Sequence, residues 1–250
     1  MLISKEKFML EINNIKKYYG SFIALNNISF KLKASELVVL LGPNGAGKST
    51  LFSLITGLAR ADNGECFING NNIVSQSTGA LKNLGVVFQQ PTIDLELTVK
   101  ENLLFHARLH GLRNSIIFKT IEKELKENRL EKKINKKVRT LSGWERRKVE
   151  LIRSLLHDPK MLVLDEPTVR LDPGSIADLL KKILHLKDTK NLSVLWTTHL
   201  VDEAEKADKI IILNKGKTLA IGSGKEILNL AKENNLAKSF LKLVKEKWYA

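Results

Sequence analysis

The residues with the clearest chemistry run from Gly42 to Thr50: Gly42-Pro43-Asn44-Gly45-Ala46-Gly47-Lys48-Ser49-Thr50, in the pattern G-x-x-x-x-G-K-[S/T]. Glycines let a backbone curl until its N–H groups face phosphate oxygens, and a helix N-terminus adds partial positive charge. The neighbours suit that job. The apolar run Leu37–Leu41 reads as a buried strand ending where the loop begins, and Ser49-Thr50-Leu51-Phe52 opens a helix. Lys48 has the charge and reach for the β- and γ-phosphates of a nucleoside triphosphate, and the Ser49 hydroxyl suits Mg²⁺. A glycine-rich turn without a ligand is the plain alternative, and the flanking strand and helix weigh against it. Alone, the pattern indicates an NTPase and no more.

A second segment narrows the class. Met161-Leu162-Val163-Leu164-Asp165-Glu166-Pro167-Thr168 resembles the Walker B segment of ABC-type ATPases. An acid at the end of an apolar strand can sit beside a metal without being swamped by water. The resemblance implies that Asp165 binds Mg²⁺ through its hydration shell and that Glu166 polarises the attacking water. Upstream, Leu141-Ser142-Gly143-Trp144-Glu145 resembles the LSGGQ signature of the same family, which caps the γ-phosphate of ATP held by the other subunit. The local physics agrees: Ser142 and Glu145 form the S-x-x-E box of a helix start, and the following helix buries Val149, Ile152 and Leu156.

Further positions follow from the resemblance, which covers about residues 8–222. Gln89, in Val86-Val87-Phe88-Gln89-Gln90-Pro91, is similar to the Q-loop glutamine that reaches Mg²⁺. His199, after Trp196-Thr197-Thr198, is similar to the switch histidine near the γ-phosphate. Leu171-Asp172 resembles the D-loop, and Tyr19 matches the aromatic that stacks on adenine. The segment from Gly85 to Leu104 resembles the branch that serves exporters with ABC-2-type permeases. Three residues depart from the pattern. Trp144 stands where glycine permits close approach to phosphate, Glu145 replaces glutamine and adds negative charge, and Arg170 replaces the glycine usual in this branch. The expectation is a weakened signature. Restoring Trp144→Gly with Glu145→Gln is expected to raise dimerisation and turnover with little change in folding.

The elements that must position these groups form an α/β chain. Ser193–Trp196 and Ile210–Leu213 add strand-like apolar runs of the kind buried on both faces of a parallel sheet. The expected fold is a P-loop NTPase, RecA-like core with an N-terminal antiparallel β-subdomain around residues 8–36. A helical subdomain is expected to be inserted at about residues 90–157, with helical periodicity throughout 98–157; Val99, Leu103, Ala107 and Ile117, Ile121, Leu125 mark its stripes. A polar helical extension is expected over residues 223–250.

The chain has 250 residues, 43% hydrophobic and 27% charged, enough for a substantial core. The net charge of +14 is spread along the chain, densest between Lys225 and Lys247, and no nucleic-acid partner is expected. The single cysteine, Cys66, excludes an internal disulfide and fits a reducing compartment. Met1 to Phe8 lacks a long apolar core, so no signal peptide is expected there, and no apolar run is long enough to span a bilayer. The expected function is the ATP-binding and ATP-hydrolysing subunit of an ABC transporter of the exporter kind. It would use ATP and Mg²⁺, pair with a second ATPase subunit, identical or different, and lie on the cytoplasmic face of the membrane through a separate permease. Two rivals stay open: a soluble ABC ATPase without a permease, and a nucleotide-binding regulatory partner with little turnover.

Overall fold

The computed structural model describes residues 8–246. The reading of Met1 to Phe8 as free of a signal peptide falls, up to residue 7, outside the described residues, as do the last four positions of the expected extension. In chain order the elements are β1 (Phe8–Tyr19), β2 (Phe22–Lys33), β3 (Leu37–Leu41), α1 (Lys48–Ile55), β4 (Asn63–Ile68), β5 (Asn71–Asn72), α2 (Ser77–Leu81), β6 (Leu84–Val87), α3 (Val99–Leu109), α4 (Asn114–Glu127), α5 (Gly143–Leu155), β7 (Met161–Asp165), α6 (Pro173–Lys190), β8 (Ser193–Thr198), β9 (Lys209–Asn214), β10 (Lys217–Gly222), α7 (Gly224–Ala231) and α8 (Leu236–Glu246).

Two sheets form. An antiparallel sheet runs β2-β1-β4-β5, and a second runs β10-β9-β3-β8-β7-β6, parallel except for the β9–β10 hairpin. Because successive side chains alternate faces, each buried parallel strand serves two cores. Val38 and Leu40 join Val163, Leu195 and Ile211 beneath the antiparallel sheet and α1. Leu37, Val39 and Leu41 join Leu164, Trp196 and Ile212 on the opposite face, under α6. This is the P-loop NTPase architecture expected from the sequence.

Between β6 and β7 lie α3, α4 and α5, with a core of their own. The predicted stripes Val99, Leu103, Ala107 and Ile117, Ile121, Leu125 are buried there. Residues 128–142 depart from the uniform helical expectation. Asn128 folds back on the last turn of α4, its Nδ2 donating to Glu124 O at 2.6 Å, and Arg129 turns the chain with φ +56°. Only short 3₁₀ turns follow, at Glu131–Lys133 and Val138–Thr140. Leu130, Ile134, Val138 and Leu141 recur at helical spacing and pack on the helical cluster, but the backbone here bonds to the start of α3 instead, Val99 N donating to Lys136 O and Lys100 N to Ile134 O. Helix α5 feeds two cores: Val149 and Ile152 enter the helical cluster, while Leu151 and Leu155 enter the sheet's.

The C-terminal helices also differ from the polar extension expected. Ile227, Ala231, Leu236, Phe240 and Leu243 pack into the same cluster as β9 and β10, so α7 and α8 complete the core. Among the described residues no helix is long and apolar enough to cross a membrane.

Candidate nucleotide site

The register of the parallel sheet explains why distant residues meet. Leu41 pairs with Thr198 and Asp165 with Thr197, so the carboxyl ends of β3, β8 and β7 share one edge, with β6 beside them. Ligands of open α/β sheets bind at such an edge. The chain beyond each strand end supplies one group: Lys48 after β3, His199 after β8, Glu166 after β7 and Gln89 after β6.

The loop after β3 is shaped by its glycines. Gly45 and Gly47 adopt φ +77° and +105°, and a Cβ on Gly47 would lie 2.8 Å from Leu25 Cδ2 and 2.9 Å from Ala24 O. At Gly42 a Cβ would come within 2.3 Å of Leu213 O. Helix α1 then starts with no side-chain cap on its first N–H groups. Those donors and the cradle fit a phosphate chain. Gly42, Pro43, Asn44, Gly45, Ala46, Gly47, Lys48, Ser49 and Thr50 are contiguous around it, with Lys48 buried and Ser49 exposed. Lys48 Nζ donates to Gly42 O at 2.8 Å and Pro43 O at 3.2 Å.

Glu166 is the hub. Its Oε1 lies 3.3 Å from Lys48 Nζ and 3.3 Å from His199 Nδ1, and its Oε2 accepts from Gln89 Nε2 at 3.1 Å. The backbone at Glu166 is left-handed, φ +42°, held by its N–H donating to Thr197 O at 3.1 Å. A non-glycine residue so placed stores strain of the kind found at functional sites. Asp165 sits one residue earlier, its Oδ1 accepting from the Thr197 hydroxyl at 2.6 Å. Burial, with repulsion from Glu166 in support, lifts the Asp165 carboxyl above its ordinary range; the Thr197 hydrogen bond and Lys48 pull the other way. The available donors, the Asp165 carboxylate, the Ser49 hydroxyl and the Gln89 amide oxygen, form the oxygen set that Mg²⁺ prefers.

Two aromatics stand at the hairpin tip, one of them beside the loop. Tyr19 and Phe22 face each other across the tip of the β1–β2 hairpin. Phe22 joins Ala24, the loop, Gln89 and Glu166 in lining the cleft, whereas Tyr19 stands outside that lining, half exposed.

At the start of α5, Ser142 caps the helix: its Oγ accepts from Glu145 N at 3.2 Å, and Glu145 Oε2 accepts from Ser142 N at 2.9 Å. Leu141 is buried, Ser142 and Gly143 exposed. Glu145 is also 3.5 Å from Lys133 Nζ, and the Ser142 bond first, then Lys133, hold its carboxyl below the ordinary range. The Trp144 ring folds onto the sheet's own core cluster, with Lys148 Nζ 5.7 Å from its centroid. Its removal would take a packing contact from that cluster. Leu171 packs on the same cluster, and Asp172 caps α6, its Oδ1 accepting from Ser175 N at 3.0 Å. Arg170 takes φ +67°, the conformation for which glycine is the usual choice.

Sequence reasoning missed three residues of α5. Arg147, Glu150 and Arg153, spaced by three, face the loop that carries Gln89. Arg147 donates to Phe88 O at 2.9 Å, to Gln89 O at 3.2 Å and to Glu150 Oε2 at 2.9 Å. Glu150 Oε1 accepts from Thr92 N at 2.9 Å, and Arg153 donates to Thr92 O at 2.8 Å. The signal was present as charges on a face that an amphipathic helix should bury.

Known proteins carry the same arrangement. The family model described as "ABC transporter" matches residues 25–169. The linearmycin resistance ATP-binding protein LnrL of Bacillus subtilis (strain 168) is 37% identical over 216 residues, 86% of this chain and 69% of that protein. The Nod factor export ATP-binding protein I of Rhizobium sp. (strain N33) is 37% identical over 218 residues, covering 87% and 71% of the two chains. A solved ATP-binding subunit of an ABC transporter superposes with TM-score 0.87 at 28% identity, over 95% of this chain and all of that one. The cbiO1 protein of Clostridium perfringens, part of the cbiONQ transporter complex, gives TM-score 0.81 at 26% identity over 90% and 92%. With a phosphate cradle, a strand-end acid hub and a signature helix in one frame, the chain belongs to the ABC transporter family, among its ATP-binding, ATP-hydrolysing subunits.

Proposed function

We propose that this subunit drives an exporter, working as a dimer on the cytoplasmic face of a membrane through a separate permease. The observation that supports the hydrolytic part is the convergence of Lys48, Gln89 and His199 on the Glu166 carboxylate. The direction of transport rests on relatives named for linearmycin resistance and for Nod factor export.

In this reading Lys48 exchanges its contacts with Gly42 O, Pro43 O and Glu166 for the β- and γ-phosphates of ATP. Glu166 is then freed to accept the proton of the attacking water, with Gln89 and His199 orienting that water. Phe22 and Tyr19, at the hairpin tip, supply apolar faces for the base. Ser49, Gln89 and Asp165 would hold Mg²⁺, which would supply neutralisation of the phosphate charge. Leu141 to Glu145 and the D-loop pair Leu171-Asp172 face the nucleotide of the second subunit.

The test uses the full chain with Glu166→Gln. ATP binding is expected to persist, an ATP-trapped dimer to accumulate, and steady turnover to fall by about 10²–10⁴-fold. Turnover near the parent's removes Glu166 from the base role. A parent that binds ATP but turns over no faster than the variant instead favours a nucleotide-binding regulatory partner.

A further inference from the structure

Three of the chain's five histidines meet apart from the residues that converge on Glu166. His106 lies in the last turn of α3, His110 is the C-cap residue of that helix, and His157 follows the end of α5. One ring nitrogen from each lies within 4.8 Å of the other two. The His110 and His157 rings stack at 3.8 Å between centroids, and the His106 centroid is 4.6 Å from that of His110. Such a cluster is unusual packing for residues with polar nitrogens to satisfy.

The tautomer at His157 is set by its neighbour. Its Nε2 lies 3.1 Å from Leu84 O, and a carbonyl can only accept, so Nε2 carries the hydrogen and Nδ1 the lone pair. That Nδ1 is buried and makes no hydrogen bond, and neither does the buried Nε2 of His106. Two buried nitrogens thus lack partners beside a third imidazole that opens to solvent. A backbone carbonyl that orients an imidazole from behind is the usual outer partner of a metal-bound histidine.

We propose that His106, His110 and His157 form a binding site for a divalent transition cation of the imidazole-preferring class, Zn²⁺ foremost. Three imidazoles leave a fourth tetrahedral position for water. Tetrahedral Zn–N bonds of about 2.0 Å bring nitrogens to about 3.3 Å apart, so closing the site from nitrogens within 4.8 Å of one another requires the exposed His110 ring to turn out of its stack on His157, where the planes lie at 14°. The exposed His110 offers the way in. Burial, with neighbouring positive charge in support, holds the imidazolium form of His106 down to about 3 and, again with burial first, that of His157 to about 4, leaving both lone pairs available at neutral pH. Arg153 stands against the site as a nearby cation, but its guanidinium is turned onto Thr92. A bound ion would pin α3 to the end of α5 and, through Leu84, to β6, tying the helical layer to the sheet.

The test titrates the tag-free full chain, without nucleotide or Mg²⁺, with Zn²⁺ alone, followed by calorimetry and by the unfolding temperature. Cys66 is no rival ligand, because burial pushes its thiol up to about 12. One Zn²⁺ per chain is expected, with a raised unfolding temperature. His110→Ala, at an exposed position, and His157→Gln should each weaken binding by more than about tenfold, while His185→Ala leaves it unchanged. Absence of stoichiometric binding overturns the proposal. So does binding that survives His110→Ala and His157→Gln, which would place the ion elsewhere, or a loss of binding in His185→Ala as large as in the cluster variants.

Discussion

Helices α1 and α5 both begin at motifs that resemble the family's phosphate-binding segments, yet their first turns are built in opposite ways. At α1 the residue before the helix is Gly47, no side chain caps the N–H groups, and the first turn carries Lys48 and no acid. At α5 Ser142 and Glu145 cap each other, and the first turn carries an acid matched to Lys133. An uncapped, positively flanked helix start is an anion site by itself. A self-capped start has spent part of its donors internally, which leaves the N–H groups of Gly143 and Trp144 for a ligand. The loop before α1 thus offers its donors unspent, while the start of α5 is a self-capped surface which, in the proposed function, adds contacts to a nucleotide held by the second subunit. The same helix, three residues further in, turns from surface to scaffold, because Arg147 and Glu150 hold the Gln89 loop.

The largest expected effect is at that scaffold. Arg147→Ala leaves Glu150, which is 1% exposed, without its ion-pair partner and releases the carbonyls of Phe88 and Gln89. Burial already raises the Glu150 carboxyl above its ordinary range despite Arg147, so without Arg147 it takes up a proton more readily. Breaking one side of a buried pair costs about 3–5 kcal/mol, and replacing both sides by apolar groups recovers most of it. Denaturant unfolding of Arg147→Ala and of Arg147→Met with Glu150→Leu reads the first effect. Turnover reads the second: the double variant should regain stability but not ATPase activity, because nothing clamps the Gln89 loop. Full activity in the stable double variant would show the clamp to be packing alone.

A smaller effect separates the two helix starts. Trp144→Gly with Glu145→Gln restores the signature expected at α5, and the amide oxygen of glutamine still accepts from Ser142 N. Losing the Trp144 contact with the core and adding a helical glycine should cost about 1–3 kcal/mol. Turnover measured against protein concentration decides the rest. A gain that appears only as the chains associate means that Trp144 obstructs the composite site. No gain at any concentration means that a ring seated on its own subunit leaves the backbone N–H free to work.

The comparison also marks what could be read from the chain alone. The cradle, the Asp165-Glu166 pair and the Ser142–Glu145 box are local: strand, loop and helix start lie within a dozen residues, and each pattern has one stable geometry. The parallel strands announced themselves as unbroken apolar runs. The grip of Arg147 on Phe88 spans 59 positions, and the local pattern marks only a charge on a buried helix face, not its partner. Phe22 reaches the cleft through hairpin pairing, and α7 and α8 look polar until Ile227, Phe240 and Leu243 are seen against β9 and β10. Long-range contact is the common element in what was missed.

The smallest effect concerns the turn before α6. Arg170 has φ +67°, where an L-residue with a Cβ crowds its own carbonyl, at a cost of about 1–2 kcal/mol. Arg170→Gly removes that crowding but adds backbone freedom to the unfolded chain, about 0.5–1 kcal/mol in the other direction. The net expectation is a stabilisation of up to about 1 kcal/mol, read as a rise in denaturant midpoint at unchanged slope. Asp172 caps α6 through Ser175 and needs no contribution from Arg170, so the helix start should stay in place. If the variant is destabilised instead, the Arg170 side chain contributes more than its strained backbone costs. The residue would then belong with the Trp144 ring, as a departure from the family pattern that stabilises this subunit's own fold. If it is stabilised and turnover rises with concentration, Arg170 hinders the same composite surface that the start of α5 serves.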